Sequence, residues 1–118
     1  MKYSTVTRII IIILFIVVHV TQAYNVSILL GFRSICKIYV TDCNGKVIRN
    51  AGRKDCYPFW DSIFRWNEAP DLYCVHAYPI TRPKDNKYVM VQKDDVCINL
   101  SGDLRSWKIE TISKDECN

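Results

Sequence analysis

Histidine is the residue of this sequence best suited to acid–base chemistry near neutral pH. The chain contains two histidines, and His19 falls inside an apolar N-terminal run, which leaves His76 as the single candidate base. His76 lies in a β-rich run, residues 72–78, and no serine or carboxylate at a recognisable spacing accompanies it. A ribonuclease-like reaction usually needs two proton-transfer groups. The sequence therefore favours a structural role for His76 and predicts that the protein is not an enzyme.

Asp94 and Asp95 form the sharpest acidic pair in the chain. Adjacent residues of a strand point to opposite faces, so these two carboxylates would not converge on one substrate atom. We interpret the pair as a solvated turn before a strand. The cysteine spacings contain no C-x-x-C pair, so the sequence also predicts no metal site and no cofactor.

Residues 1–23 have the features of a secretory signal peptide. Lys2 and Arg8 precede an apolar run at residues 9–18, and Thr21 and Ala23 supply small residues where a signal peptidase reads the chain. The alternative is a membrane anchor, but a run of roughly ten residues is about half the length that a bilayer requires. We therefore predict cleavage after Ala23 and a secreted protein without a membrane association.

The remaining 95 residues (118 minus 23) contain all six cysteines. An even number of cysteines in a small secreted chain is typical of a disulfide framework. These 95 residues carry 14 basic side chains (16 minus Lys2 and Arg8) against 12 acidic ones, a net charge of about +2. A balance so near neutral gives no electrostatic reason to expect nucleic acid or a membrane surface as a partner.

Short β-rich runs separated by turn signals make up most of this part of the chain. The hairpin signal Asn44-Gly45 is the clearest of the turns. Residues 24–35 are interpreted as an N-terminal arm or an edge strand. The count of six or seven strands predicts an all-β sandwich or small barrel. The runs are residues 35–41, 46–49, 60–66, 72–78, 87–92, 96–100 and 107–111.

The end of the chain carries a family resemblance. Asp94-Asp95-x-Cys97, then Asn99 to Asp103, then Trp107 resembles the corresponding stretch of MAX effectors, the avirulence and ToxB-like effectors of plant-pathogenic fungi. Upstream motifs run in the same order as in the family: Cys36 before an alternating strand, Val47, Ala51-Gly52, and Cys56-Tyr57 ahead of Trp60. The resemblance implies an antiparallel β-sandwich of two three-stranded sheets over residues 36–118.

The resemblance also implies the disulfide pairing. Family members join the first strand to the start of the fifth, which here corresponds to Cys36–Cys97, and ToxB-like members add a bridge that corresponds to Cys56–Cys117. Cys43–Cys74 is the pair that remains. The chain departs from the family in a short arm and in an apparent insertion between Cys56 and Lys87, which holds Cys74.

By resemblance, the protein is expected to be a secreted fungal virulence or avirulence effector and a monomer without catalytic activity. It would act either outside host cells or, after translocation, inside them. The expected partner is a host plant protein, a heavy-metal-associated domain or an immune receptor that contains one. The expected contact is an exposed edge strand that adds to the partner's sheet through main-chain hydrogen bonds. The alternative function is that of a disulfide-rich secreted toxin or enzyme inhibitor. Such proteins usually show a strongly basic or amphipathic exposed segment, which this sequence lacks.

Two surfaces are candidates for partner binding. One begins the second strand, and the other is an aromatic run whose side chains would form either a platform or part of the core. Asn25 and Asn99 begin glycosylation sequons and are candidate glycan sites. The partner-binding candidates are Lys46, Val47, Ile48, Arg49, Trp60, Ser62, Phe64 and Trp66.

Overall fold

The computed structural model describes residues 23–56 and 63–118. The predicted signal peptide, apart from Ala23, and the candidates Trp60 and Ser62 lie outside the described residues. The described chain forms eight strands and one short 3₁₀ helix, Lys114–Cys117. The strands are β1 Tyr24–Phe32, β2 Ile35–Thr41, β3 Val47–Asp55, β4 Ile63–Ala69, β5 Leu72–Pro79, β6 Lys87–Gln92, β7 Val96–Gly102 and β8 Lys108–Ile112.

The strands form two four-stranded sheets with a shared apolar interior. Sheet 1 has the order β4-β1-β7-β8, and sheet 2 has the order β3-β2-β5-β6. Every neighbouring pair is antiparallel except β1 and β7, which run parallel. The all-β, disulfide-stapled, sandwich-like architecture that the sequence predicts is therefore confirmed, with eight strands in place of six or seven and four strands in each sheet in place of three.

Period-two alternation explains which face of each strand is buried, because successive side chains of a strand point to opposite sides. In sheet 1, Val26, Ile28, Leu30 and Phe32 of β1 point inward beside Val96, Ile98 and Leu100 of β7. In sheet 2, Ile38 and Val40 of β2 point inward beside Val75 and Ala77 of β5. These two sets of side chains form the core.

The prediction of an N-terminal arm at residues 24–35 is wrong. Tyr24–Phe32 is an inner strand of sheet 1, paired with β4 on one side and with β7 on the other. The alternation of its apolar side chains fits burial, and Gly31 allows the close approach to β7. A Cβ atom at Gly31 would lie 2.8 Å from the Leu100 carbonyl oxygen, closer than side chains tolerate.

The apparent insertion between Cys56 and Lys87 contributes to both sheets. It contains β4, an edge strand of sheet 1, and β5, an inner strand of sheet 2. Tyr73 and Val75 of β5 are fully buried, and the Tyr73 hydroxyl donates to the Asp94 carbonyl oxygen at 2.8 Å. The segment that departs from the family pattern is thus part of the core.

Two of the three expected disulfides are wrong. The structure pairs Cys36 with Cys56 and Cys97 with Cys117, each at a Cα–Cα distance of 5.9 Å, and it contains the expected bridge Cys43–Cys74. Cys36 cannot pair with Cys97 because the two side chains point in different directions. Cys36 points into the core in the row of Ile38 and Val40, whereas Cys97 points away from the core on the outer side of sheet 1.

Trp107 is a core residue, as the sequence predicts, and it holds two loops against the sandwich. Its indole stacks on Phe32 with ring centroids 5.0 Å apart, and its Nε1 donates to Asp85 Oδ2 at 2.8 Å. The Lys87 ammonium lies 4.8 Å from the indole centroid and donates to the Trp107 carbonyl oxygen. Trp107 therefore fixes the loop between β5 and β6 against the start of β8.

Candidate protein-interaction surface

The outer face of sheet 2 carries a row of aromatic side chains that the strand register assembles. Tyr39 of β2 lies opposite His76 of β5, and His76 lies opposite Tyr88 of β6. Tyr78 adjoins the row and meets Tyr39 edge to face at 6.3 Å. We call Tyr39, His76, Tyr78 and Tyr88 the aromatic row. No two of its strands are neighbours in sequence except β5 and β6, so only the sheet brings these rings together.

The rings of the aromatic row stack on one another. The Tyr39 and His76 ring centroids are 4.7 Å apart with nearly parallel planes, and those of His76 and Tyr88 are 5.2 Å apart. Asn86 closes the row from the edge, since its Oδ1 lies 3.1 Å from His76 Nδ1 and its Nδ2 donates to the Tyr39 hydroxyl. Cross-strand aromatic pairs of this kind stabilise a sheet and order its surface.

His76 has both ring nitrogens engaged. Asn86 Oδ1 can only accept, so Nδ1 carries the hydrogen, and Nε2 lies 3.0 Å from the Thr41 hydroxyl, which donates to it when the ring is neutral. Tyr39 and Tyr88 cover the two faces of the ring. This arrangement orients the ring within the row and leaves neither nitrogen open to a substrate proton.

The exposed large apolar side chains of the described residues all lie on this same face. Tyr88 is 61% exposed, Met90 64%, Val47 50%, and Ile35 and Leu72 are each 40% exposed. Ile35 shares its side of β2 with Tyr39, Leu72 shares its side of β5 with His76, and Val47 pairs with Thr41. We call these five residues and the aromatic row together the aromatic face. Apolar surface gathered on one side of a small protein is typical of an interaction site.

The predicted candidates at residues 46–49 lie where the aromatic face meets an open side of the sandwich. Lys46, Val47 and Arg49 are exposed, and Ile48 is half-buried against the core. The edge strand of sheet 2 on this side is β3, and that of sheet 1 is β4. The two strands border a groove with a volume of about 520 Å³, whose lining includes Arg49, Arg65 and Trp66.

The aromatic candidates of β4 do not form an exposed platform. Phe64 points into the core and is 8% exposed, and Trp66 is half-buried against the core on the same side of the strand. Phe64 is therefore corrected from a surface candidate to a core residue, because its side of β4 faces sheet 2. Lys54 of β3 lies over the ring, with its ammonium 5.9 Å from the centroid.

Edge strand β3 has features that limit indiscriminate strand pairing. Its register to β2 shifts twice, between Ile38 and Tyr39 and between Val40 and Thr41, which marks two β-bulges. Arg49 and Arg53 are exposed along it. Bulges and charged side chains protect sheet edges from unspecific addition of a strand, so a partner would have to match this edge specifically.

The remaining candidate groups have separate contacts. Asp94 pairs with Lys114, which lowers the pKa of the Asp94 carboxyl, while Asp95 Oδ1 accepts from the Asn25 amide at 2.7 Å. The acidic pair thus forms a turn before β7, as the sequence predicts. Within residues 23–56 and 63–118, no group of histidine, cysteine and carboxylate side chains is arranged to hold a metal ion.

The two sequon asparagines lie on different strands of sheet 1. Asn25 is exposed on β1, and Asn99 is half-buried on β7, where it pairs with Leu29 and Glu110.

Sequence reasoning missed the aromatic face, although a signal for it existed. Tyr39, His76 and Tyr88 each lie within a predicted strand, and alternation could have placed each on its polar side.

No family model, curated protein or solved structure matches the chain. In the part of the chain that the structure describes, no helix has the length and apolar character of a membrane span.

Proposed function

We propose that this protein is a secreted, non-catalytic effector of a plant-pathogenic fungus that binds a host protein through the aromatic face and the adjoining start of β3. One observation carries the proposal: all five exposed large apolar side chains of the described residues lie on the outer face of sheet 2. Tyrosine and methionine are enriched in protein interfaces, and tyrosine supplies a large contact area with little loss of side-chain freedom. The signal-like N-terminus and the cysteine framework support the secreted assignment.

The partner class rests on the MAX-like motifs of the sequence, which favour a plant heavy-metal-associated domain. The open side between β3 and β4 gives such a domain an edge to pair with, beginning at Val47. The bulges and charges of β3 would make the pairing selective. The aromatic face would then supply the side-chain contacts beside the added strand.

The test measures binding of the oxidised protein to a panel of plant heavy-metal-associated domains by calorimetry. Replacing both Tyr88 and Met90 by serine should weaken binding about tenfold or more, because central apolar contacts carry much of an interface's free energy. The matched control replaces Lys108 and Thr111 by serine in the same way. Both are exposed on β8 of sheet 1, and this variant should bind like the wild type.

A second pair of variants separates the edge from the aromatic face. Lys46→Glu and Arg49→Glu change exposed residues at the start of β3 that are not part of the aromatic face. Weaker binding in these variants as well would support strand pairing, whereas unchanged binding would limit the contact to side chains of the aromatic face. If no domain of the panel binds, the partner class is wrong. If the Tyr88/Met90 variant binds its partner as tightly as the wild type, the proposed surface is wrong.

A further inference from the structure

A second region, distinct from the aromatic face, concentrates positive charge. A cleft with a volume of about 580 Å³ lies between the loop that joins β5 to β6 and the loop that joins β7 to β8. Four basic side chains and one acidic side chain line it, together with Thr81 and Pro83. The charged lining residues are Arg82, Lys84, Asp85, Lys87 and Arg105.

This excess of cations does not follow from the composition of the chain. Residues 24–118 carry 14 basic and 12 acidic side chains, so a cleft with four cations and one carboxylate departs strongly from the average. The one carboxylate, Asp85, accepts a hydrogen bond from Trp107 Nε1. Among the described residues, the ion pairs are Lys108–Glu110 and Lys114–Asp94, and neither neutralises a cation of the cleft.

Both loops are ordered before any ligand arrives. The first contains two consecutive turns, in which the Arg82 amide donates to the Pro79 carbonyl at 2.9 Å and the Asp85 amide donates to the Arg82 carbonyl at 2.9 Å. In the second, Asp103 Oδ1 accepts from the amides of Arg105 and Ser106, each at 3.1 Å. Binding would therefore require little further ordering of the backbone, which favours affinity.

We propose that this cleft binds a ligand that carries two or more clustered phosphate groups. Arginine side chains on two opposing loops can each form a bidentate pair with a phosphate, and Lys87 adds an ammonium whose position is fixed by Trp107. A ligand with several anionic groups can engage the arginines of both loops and the lysines at the same time, which is why a clustered phosphate fits. The source is either a soluble phosphorylated compound or the headgroup of a phosphorylated lipid.

The experiment titrates the oxidised protein with inorganic tripolyphosphate and, in a second arm, with vesicles that contain phosphatidylinositol bisphosphate. Arg82→Ala and Arg105→Ala should each weaken binding about five- to tenfold, since each removes a charge-assisted hydrogen bond. Affinity should also fall as salt rises, because the contacts are partly solvated. Lys108→Ala, an exposed lysine outside the cleft, is the control.

Each outcome decides the proposal. Binding of either probe that weakens in Arg82→Ala and Arg105→Ala but not in Lys108→Ala supports the site, and the probe that binds more tightly identifies the source. Absence of binding in both arms, or equal weakening in all three variants, overturns it. The Tyr88/Met90 double variant should bind tripolyphosphate like the wild type, which keeps the cleft separate from the aromatic face.

Discussion

The outer faces of the two sheets are built by the same alternation of side chains, but one is partly covered by the chain itself and the other is open to solvent. On sheet 1, the chain covers its own surface. Cys97 on β7 is bonded to Cys117, Arg65 donates to the Cys117 carbonyl oxygen and to the Ser27 hydroxyl, and the 3₁₀ helix lies over the strands. On sheet 2, the aromatic face stays open to solvent. Among the described residues, the exposed large apolar side chains are therefore confined to sheet 2, the face that we propose for partner binding.

The disulfides differ in the same way. Cys97–Cys117 ties a covering segment onto sheet 1, whereas Cys43–Cys74 ties the turn between β2 and β3 beside the aromatic face without covering it. Cys74 lies in the row of Thr41 and Met90, next to that of His76. One bridge therefore closes a face, and the other positions the rim of an open one.

Removing the disulfides should have the largest effect on stability. It tests the comparison directly, because each disulfide holds one of the two faces in the state described above. Replacing Cys97 and Cys117 by alanine, which are 20 residues apart, should lower the free energy of unfolding by roughly 3 kcal/mol in the chain-entropy model. Replacing Cys43 and Cys74, which are 31 residues apart, should lower it by roughly 4 kcal/mol. Denaturant titration measures both.

The two disulfide variants should differ in where their backbone amides exchange faster with deuterium, although the two variants are similar in stability. Without Cys97–Cys117, the amides of residues 114–117 should exchange faster with deuterium, while those of the aromatic face keep their protection. Without Cys43–Cys74, faster exchange should appear at residues 42–46 instead. Equal exchange at residues 114–117 in both variants would contradict the covering role of the 3₁₀ helix.

An intermediate effect should come from the centre of the aromatic row. His76→Ala removes two stacked contacts and two hydrogen bonds, so we expect a loss of about 1–2 kcal/mol in the free energy of unfolding. Asn99→Ala is the matched control, because Asn99 is half-buried on the opposite outer face and its replacement should cost less than about 0.5 kcal/mol. Equal losses would mean that the stacking adds no stability of its own.

The smallest effect should be a pH dependence confined to the covered face. A hydrogen bond from Lys114 lowers the pKa of Asp94 below its ordinary value of 3.8, and the Asp94 contact raises the pKa of Lys114 above 10.5. The carboxylate therefore contributes stability above its unfolded-state pKa and loses it as the pH falls through the lower folded-state pKa. The ammonium contributes below its unfolded-state pKa and loses its contribution as the pH rises through the higher folded-state value.

The protection factors of the amides at residues 114–117, which are exchange rates corrected for the intrinsic pH dependence of amide exchange, should accordingly be highest between these limits and should fall in acid. Lys114→Gln should reduce this acid step, since it leaves Asp94 without the cation that lowers its pKa. Protection factors measured by NMR at pH 3 and pH 7 give the comparison. A step of the same size in the variant would assign the acid sensitivity to another carboxylate, of which Asp103 is the first to examine, because hydrogen bonds from Ser106 and Arg105 lower its pKa as well.

Local pattern was sufficient to predict most strands but not their partners. Alternation and turn residues placed β2 and β6 at the residues where they occur, and Asn44-Gly45 lies in the turn between β2 and β3. The pairing of β1 with β7 joins positions such as Val26 and Val96, and no local signal encodes a contact so distant in sequence. This is why the sequence alone indicates an arm or an edge strand at residues 24–35 and not an inner strand.

The candidate site was only partly predictable for the same reason. Residues 46–49 are exposed at an edge, as expected, but the aromatic row needs three strands in register, and register is a property of the assembled sheet. The cysteine pairing failed because family order does not specify which way each cysteine faces. Cys97 faces outward and reaches Cys117, whereas Cys36 faces inward and reaches Cys56.

The parallel pair of β1 and β7 has a consequence for how the protein folds. The Asn25 backbone amide and the Asp95 carboxylate at the start of this pair are 70 residues apart in sequence. The entropy cost of closing so long a loop must be met before the contacts between β1 and β7 stabilise the fold. Sheet 2 uses residues 35–92 alone and can assemble while β1 is still unpaired on one side. Formation of sheet 1 should therefore be the slow step, and the apolar side of β1 is the surface at risk of aggregation until β7 arrives.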